Sequence, residues 1–346
     1  MGHELLVRIA SDWDNPRFLT QSPGGSGLWD GIRFTADPVE QCDFLVMLNN
    51  RRLAPVHTRC APGNVWAIMQ EPYVPWIYDW MVDNHQPYAR FFTHYLPSAD
   101  PKYVASQPAL PWAVELTYDQ AVSAQVPEKT RGVSWIASNL SFTPVHKLRT
   151  ALRKHLQQHA PQLVDLFGRG IRPISKKWDA LAPYRYSLAI ENSAGPDLWT
   201  EKVADCFLSW TVPLYFGCTN LEDYFPEDSF IRIDPGNPAA TLQKIRELLA
   251  GDEWERRLPA LEIARRRVLE EHQIFPFLAR AIRTYGIDPG PPADIHIPGY
   301  RVWRWRHRFR WFSRMIRAGE IMEIGNVAVT KFKYIWWDRV QGLYRP

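Results

Sequence analysis

Short apolar runs that end in polar residues recur along this chain, and they restrict its fold more than any other feature. The first three are LLVRIAS (5–11), CDFLVMLNN (42–50) and NVWAIMQEP (64–72), and FFTHYLP (91–97) is a fourth candidate. Strands of a parallel sheet that is covered on both faces have this character, because neither face meets water. These runs predict a parallel sheet in the first third of the chain.

A second series of strands and helices follows residues 119–131, a polar stretch without periodicity that we interpret as a linker. Its predicted strands are 132–139, 163–168, 186–193, 212–217 and 230–234, and its predicted helices are 144–159, 200–210, 239–251 and 258–286. Two such series predict an α/β fold of two doubly wound, Rossmann-like domains that face a cleft. The predicted boundaries are 1–125 for the first domain, 130–290 for the second and 291–346 for a tail.

The charge of the chain is concentrated at its end. The net charge is +4, but residues 301–346 hold 11 Lys and Arg against three Asp and Glu. Aromatic residues alternate with these cations in 300–317 and again in 331–337, which suits peripheral contact with an anionic membrane. The alternative is a final helix that packs across both domains. We expect no nucleic acid partner, because no fold that binds nucleic acid is visible.

The cysteines and the N-terminus indicate the compartment. The four cysteines, Cys42, Cys60, Cys206 and Cys218, fit neither a zinc site nor a CxxC pair. We interpret them as reduced core thiols. The N-terminus lacks the pattern of a signal peptide, and no apolar run approaches 18 residues, so we expect neither secretion nor a membrane span. The predicted location is the cytoplasm, with peripheral contact at the inner face of the membrane.

Common phosphate and metal motifs are absent from the sequence. It contains no GxGxxG after a strand and no GxxxxGK[ST], and its ten histidines lack ligand spacing. SPGGSG (22–27) is better interpreted as a flexible loop than as a phosphate cradle. DWD (12–14) resembles the metal-binding DxD of some sugar transferases, but a three-residue match carries little information. We therefore predict no metal site.

ENSAGPDLWTEK (191–202) is a polar stretch at the predicted carboxyl end of a strand, where α/β folds bind their ligands. Thr200 is suited to cap the following helix, and Glu201 and Lys202 fall in its first turn. The free N–H groups and the dipole of a helix N-terminus favour a phosphate, and a lysine there adds positive charge. The alternative is an ordinary helix cap with a surface ion pair.

Residues 184–234 resemble the signature of the α1,3/4-fucosyltransferase family, glycosyltransferase family 10, in a bacterial-type member. The matching elements keep the family's order and spacing: IENS (190–193), TEK (200–202), Val212-Pro213 with Gly217, Tyr224, Pro226 and SFI (229–231). WAIMQEP (66–72) and WIASN (135–139) match more loosely.

The resemblance implies a GT-B fold that binds a GDP-sugar, usually GDP-fucose, in the second domain. The acceptor, a glycan or glycolipid such as lipopolysaccharide, would lie against the first domain. The family inverts the anomeric centre without a metal in its active site, and it needs no cofactor besides the donor substrate. The alternatives are a transferase of another GDP-sugar and a non-catalytic protein that binds nucleotides or carbohydrates.

Donor-binding roles also follow from the resemblance. Lys202 and Arg149 would face the diphosphate, with His146 and Lys147 as competitors for the place of Arg149. Glu201 resembles the acid that binds the nucleotide ribose, and Asn192 resembles a donor contact. The remaining predicted donor-site residues, which hold the loop and cap the helix, are Glu191, Ser193 and Thr200.

The base that activates the acceptor hydroxyl is predicted to be Glu71, which corresponds to the glutamate of the family's E-S-P motif. The segment QEPY lacks the serine and places Pro72 directly after the acid. The alternative interpretation of Glu71 is a solvated strand end.

Overall fold

The computed structural model describes residues 4–11, 18–50, 54–73, 79–137, 144–168 and 170–299. The strands within these ranges are β1 Leu5–Ser11, β2 Leu28–Trp29, β3 Ile32–Thr35, β4 Phe44–Leu48, β5 Val56–Cys60, β6 Val65–Ile68, β7 Arg90–Thr93, β8 Tyr103–Ala105, β9 Arg131–Ile136, β10 Val164–Phe167, β11 Tyr184–Gly195, β12 Val212–Cys218, β13 Ile231–Arg232 and β14 Ala293–Ile297. The α-helices are α1 Tyr118–Ser123, α2 Pro144–His159, α3 Glu201–Leu208, α4 Pro238–Ala250, α5 Glu253–Arg267 and α6 Ile274–Tyr285.

The first sheet has the strand order β2-β3-β1-β4-β6-β7-β8. Its neighbouring strands are parallel except for β2 and β3. All five residues of β4 are buried, as expected for a central strand that is covered on both faces. The four apolar runs predicted as strands are β1, β4, β6 and β7. The short strands β2, β3 and β8 were not predicted.

The second sheet has the order β10-β9-β11-β12-β13, and all its pairs are parallel. The central strand β11 is the longest, with 12 residues. Trp135 of β9, Leu152 of α2 and Phe207 of α3 belong to one buried cluster, which joins the sheet to its helices. The predicted α/β fold class with two parallel sheets is confirmed, although the first sheet has one antiparallel pair.

The predicted linker at 119–131 contains most of α1, a helix that the sequence did not predict because this stretch lacks apolar periodicity. Thr117 caps α1, since its hydroxyl accepts the N–H of Gln120 while the Gln120 side chain accepts the N–H of Thr117. This reciprocal pair stabilises a six-residue helix in a polar context.

The single helix predicted at 258–286 is interrupted. α5 begins earlier, at Glu253, and a π-helical turn over Val268–His272 follows it. Gln273 is extended, with φ −68° and ψ 166°, and its side chain accepts the N–H of Phe275 to cap α6. The chain therefore changes direction between α5 and α6.

α6 packs on the first sheet, although its residues fall within the predicted second domain. Phe275 contacts Phe18 and Phe34, and Phe277 contacts Phe92. β14, within the predicted tail, forms an antiparallel pair with β5. The packing therefore differs from the predicted boundaries, because the chain returns to the first sheet after it completes the second.

All four cysteines are free and buried, as predicted. Within the described ranges, no helix is long and apolar enough to cross a membrane. The predictions made for DWD (12–14) and for the tail at 300–346 lie outside the described residues.

Candidate active site

The carboxyl end of β11 leaves the regular register of the sheet. β11 pairs with β12 at Ile190–Phe216 and again at Gly195–Cys218. Residues 191–194 therefore stand opposite the single residue Gly217. This bulge brings the IENS segment to the end of the sheet, where α3 begins.

Glu191 is the first residue of the bulge, and its side chain is buried, with 1% of the residue exposed. Its carboxylate accepts the backbone N–H of Thr200 at 2.9 Å and the Thr200 hydroxyl at 2.8 Å, and it pairs with the ammonium of Lys202 at 3.1 Å. A buried carboxylate without such partners would be strongly destabilising. Glu191 thus fixes the start of α3 against the end of β11.

Gly217 makes room for Glu191. Its φ of +155° lies in the region that side chains rarely adopt, and an added Cβ would lie 2.3 Å from Cγ of Glu191. No residue other than glycine fits at this position without displacing the carboxylate.

The first turn of α3 carries opposite charges close together. The Thr200 hydroxyl accepts the N–H of Lys202 at 3.3 Å, as predicted for a cap. The carboxylate of Glu201 lies 3.7 Å from the ammonium of Lys202 and 3.7 Å from that of Lys177. Burial alone would raise the pKa of Glu201, but Lys202 and Lys177 outweigh it and lower the pKa to about 2. Glu201 is therefore ionised at neutral pH.

Lys202 is held in its charged form by the same acids. Burial alone would lower the pKa of Lys202, but Glu191 and Glu201 outweigh that effect and raise it. The side chain remains 24% exposed.

Arg149 reaches the site from α2. Its Nη1 donates to Oδ1 of Asn192 at 2.7 Å, which joins the helix to the bulge. Of the two competing residues, Lys147 is exposed on α2, and burial lowers the pKa of His146 to about 4, so His146 is neutral at pH 7. His146 also hydrogen-bonds Asn192, so of the three residues Arg149 is the one that is both beside Asn192 and permanently charged.

A cavity of about 330 Å³ lies at this end of the second sheet. Arg149, Asn192, Glu201 and Lys202 line it, and Lys177 adds a third cation. Apolar side chains from β9 and β11, among them Ile136 and Leu188, form the opposite wall. We call this space the donor cavity, after the role that the family resemblance predicts for its residues. Glu191 and Thr200 lie buried beneath it, and Ser193 is half-buried in the bulge and lines neither this cavity nor the next.

A second cavity of about 580 Å³ lies beside the first. Its lining consists of Thr20, Gln21, Glu71, Glu201 and the continuous segment 110–117. Glu201 therefore lines both cavities, and Glu71 lines the second cavity from the first domain. We call this space the acceptor-side cavity, after the role that the family resemblance predicts for the first domain.

The backbone around Glu71 is fixed on both sides. The N–H of Gln70 donates to Oδ1 of Asn49 at 2.8 Å, and its side-chain amide donates to the carbonyl of Pro108 at 3.2 Å. The N–H of Tyr73 donates to Nε2 of His94 at 3.1 Å. These contacts fix the backbone from which the Glu71 side chain extends, just beyond the end of β6.

Residues 126–255, which build the donor cavity, match the family model described as glycosyltransferase family 10 (fucosyltransferase), C-terminal region. The match covers 130 of the 346 residues, and within them it agrees with the family that the sequence resembles. We call residues 126–255 the family 10 segment.

Curated relatives align with this chain over 126 residues. The chain is 34% identical to the 3-galactosyl-N-acetylglucosaminide 4-alpha-L-fucosyltransferase FUT3 of Pan troglodytes, over 34% of this chain and 32% of the relative. It is 35% identical to the 4-galactosyl-N-acetylglucosaminide 3-alpha-L-fucosyltransferase FUT5 of Homo sapiens, with the same coverage of 34% and 32%. The alignment thus spans about a third of the length of these relatives.

Solved structures with a similar chain path are more distant in sequence. An α1,3-fucosyltransferase with GDP has a TM-score of 0.48 at 17% identity, with 78% of this chain and 92% of that chain covered. A point mutant of S. aureus TarM in a complex that includes UDP has a TM-score of 0.45 at 10% identity, with 70% and 56% covered.

The sequence analysis did not identify two residues that line the donor cavity, Lys177 and Asp205. Asp205 of α3 is 2% exposed. Its Oδ1 accepts the backbone N–H groups of Ala113 at 2.7 Å and Val114 at 3.1 Å, and its Oδ2 pairs with Lys177 at 2.9 Å. Asp205 thereby ties α3 to the 110–117 segment. The available signal was a single acid within an otherwise apolar stretch of helix, VADCFL.

Within the described residues, no three His, Cys, Asp or Glu side chains are grouped so that they could hold a metal ion. Asp205 in the lining of the donor cavity and Glu191 beneath it are engaged by lysines and backbone N–H groups.

Proposed function

We propose that this protein is an inverting glycosyltransferase that transfers fucose from GDP-fucose to a hydroxyl of a glycan or glycolipid. One observation carries the proposal. Arg149, Lys177 and Lys202 converge with Asn192 and Glu201 on one cavity, at the N-terminus of α3, in the family 10 segment.

The cations suit the departure of GDP. When the bond from the sugar to the diphosphate breaks, negative charge grows on the leaving phosphate oxygens. Arg149 and Lys202 are held in place by Asn192 and Glu191, so they stabilise this charge with little reorganisation. The N–H groups at the start of α3 add to the positive field. We propose that these groups supply the charge without a metal ion.

Glu201 suits the ribose of the nucleotide. Its carboxylate is ionised and lies in the donor cavity next to the cations that would hold the diphosphate. An ionised carboxylate accepts two hydroxyl hydrogen bonds in a bidentate manner, as the two ribose hydroxyls offer.

Glu71 suits the base that takes the proton of the acceptor hydroxyl. It comes from the first domain and lines the acceptor-side cavity, which adjoins the donor cavity at Glu201. An attacking hydroxyl between Glu71 and the donor would approach the sugar from the side opposite the leaving diphosphate. That direction of attack inverts the anomeric centre.

Calorimetric titration with GDP, GDP-fucose, GDP-mannose and UDP tests the donor, followed by transfer assays with Lys202→Ala as the control. We expect GDP and GDP-fucose to bind, and Lys202→Ala to weaken GDP binding at least tenfold, or about 1.4 kcal/mol. Preference for GDP-mannose would indicate a transferase of another sugar. Binding without hydrolysis or transfer would indicate a non-catalytic protein, and the absence of nucleotide binding would contradict the proposal.

The variant Glu71→Gln tests the base. It keeps the size of the side chain but cannot accept a proton, so we expect transfer to fall at least a hundredfold while GDP binding stays within twofold of the parent. Transfer at the parental rate would exclude Glu71 as the base.

A further inference from the structure

The acceptor-side cavity is acidic. Three carboxylates line it, from Glu71, Glu115 and Glu201, and none of its described lining residues is a lysine or arginine. Building on the proposed function, we propose that this cavity selects an uncharged sugar acceptor and discriminates against acceptors that carry a sulfate, a phosphate or a carboxylate.

The acids are fixed in place around the cavity. Oε2 of Glu115 accepts the backbone N–H of Lys177 at 2.9 Å. Glu201 is held between the ammonium groups of Lys177 and Lys202, and Glu71 follows a backbone that is anchored on both sides. The three acids are thus held by three different parts of the chain.

The cations of the site lie on the other side of Glu201. Arg149, Lys177 and Lys202 line the donor cavity but not the acceptor-side cavity. A bound nucleotide diphosphate would engage these cations. An anionic group in the acceptor-side cavity would therefore face three carboxylates and, beyond them, the phosphates. Like charges placed together in this way reduce affinity.

An uncharged sugar matches the same lining. Carboxylates accept hydrogen bonds only, and the edge of a sugar ring offers hydroxyl donors. Leu110, Pro111, Val114 and Leu116 give one wall an apolar character that suits the C–H face of a sugar. Nε2 of Gln21 donates to the carbonyl of Trp112 at 2.8 Å, and Oε1 of Gln21 accepts the N–H of Trp112 at 3.2 Å. These two hydrogen bonds fix that wall to the first domain.

The test compares two sugars that differ by one sulfate group, with GDP present, and the salt dependence separates the charge of the sulfate from its size. The probes are N-acetyllactosamine, the galactosyl-N-acetylglucosamine unit named in several relatives, and its 6-O-sulfated form. We expect the neutral disaccharide to bind at least tenfold more tightly, measured by calorimetry or ligand-observed NMR. The preference should diminish in 1 M salt, which shortens the screening length from about 10 to about 3 Å.

The variant Glu115→Gln separates charge from size. It removes the negative charge but retains an oxygen that can accept the N–H of Lys177. We therefore expect the ratio of the two affinities, neutral over sulfated, to fall at least threefold. The matched control Glu262→Gln changes an exposed acid on α5 and should leave the preference unchanged. Equal binding of the two sugars, a preference that Glu115→Gln does not alter, or binding of neither sugar would overturn the inference.

The proposed function fails in a different way. If N-acetyllactosamine binds with the expected preference but receives no fucose from GDP-fucose, charge selection stands as a property of the cavity and the proposed transfer is contradicted. If fucose is transferred equally well to both sugars, the transferase proposal stands and charge selection is overturned.

Discussion

At the scale of residues, the position of the Glu191 side chain depends on the absence of a side chain at Gly217. The glutamate supports the first turn of α3 from below, and the glycine leaves the space in which its side chain lies. The sequence motif had identified both positions, but it did not show that they touch. A contact across two strands depends on the register of the sheet, which the spacing of residues along the chain does not determine.

We expect Gly217→Ala to destabilise the fold by about 2 kcal/mol, because the new Cβ enters space that Glu191 occupies. Chemical unfolding gives the free energy, and titration should show weaker GDP binding as the start of α3 shifts. The matched control is Gly195→Ala in the same bulge region, where an added Cβ meets nothing within 4 Å. Equal stability of the two variants would show that Glu191 can adjust.

Buried histidines give the molecule a predictable acid sensitivity. Burial lowers the pKa of His85, His94, His146 and His272 to about 4. An unfolded chain protonates its histidines near pH 6.5, so between pH 6.5 and 4 the unfolded state binds more protons and stability falls as the pH falls. Each such histidine contributes roughly 2 kcal/mol to the loss between pH 7 and 5.

Urea unfolding of the parent and of His85→Gln at pH 7 and pH 5 isolates one of these residues. The variant should lose less stability than the parent over that interval, because it has no imidazole to protonate. The same loss in both proteins would mean that His85 takes up no excess protons on unfolding.

At the scale of elements, α3 connects the two cavities. Its first turn supplies Glu201 and Lys202 to the donor cavity, and Asp205, one turn further on, holds the backbone of the 110–117 segment. Periodicity predicted α3 because its apolar face is regular. The partners of Asp205 were not predictable, because Ala113 lies 92 residues away along the chain.

We expect Asp205→Ala to destabilise the protein by about 3–5 kcal/mol, since Lys177 and the two backbone N–H groups lose their buried partner. Thermal and chemical unfolding measure the loss. Asp179→Ala removes an exposed acid from the 3-10 helix that carries Lys177 and is the control. A loss no larger than that of the control would show that the contact to the 110–117 segment contributes little.

Other elements show where sequence patterns were informative and where they were not. The long apolar strands β1, β4 and β11 were predicted because both of their faces are buried. β5 alternates buried and exposed residues over only five positions, which is too short to distinguish from a loop. The break before α6 did carry a signal, since Pro276 has no N–H to continue a helix, and that signal was overlooked.

At the scale of the whole molecule, the positive charge of the sequence is concentrated in the basic aromatic tail at 300–346. We propose that this tail binds anionic lipids at the inner face of the cytoplasmic membrane. We expect the full chain to float with vesicles that contain phosphatidylserine or phosphatidylglycerol, and to remain in solution with neutral vesicles or in high salt. A chain that ends at residue 299 is the control. Equal flotation of the two chains would contradict the proposal.

The return of α6 and β14 to the first sheet has a consequence for any attempt to exchange parts between related enzymes. The half of the molecule that carries Glu71 is assembled from two pieces of chain, one before the second sheet and one after it. During synthesis, this half must wait for residues 274–297 before its core is covered. A chimera that seeks a new acceptor preference must therefore transplant both pieces together, because a single crossover near residue 125 would join a sheet to a helix that evolved to cover another one.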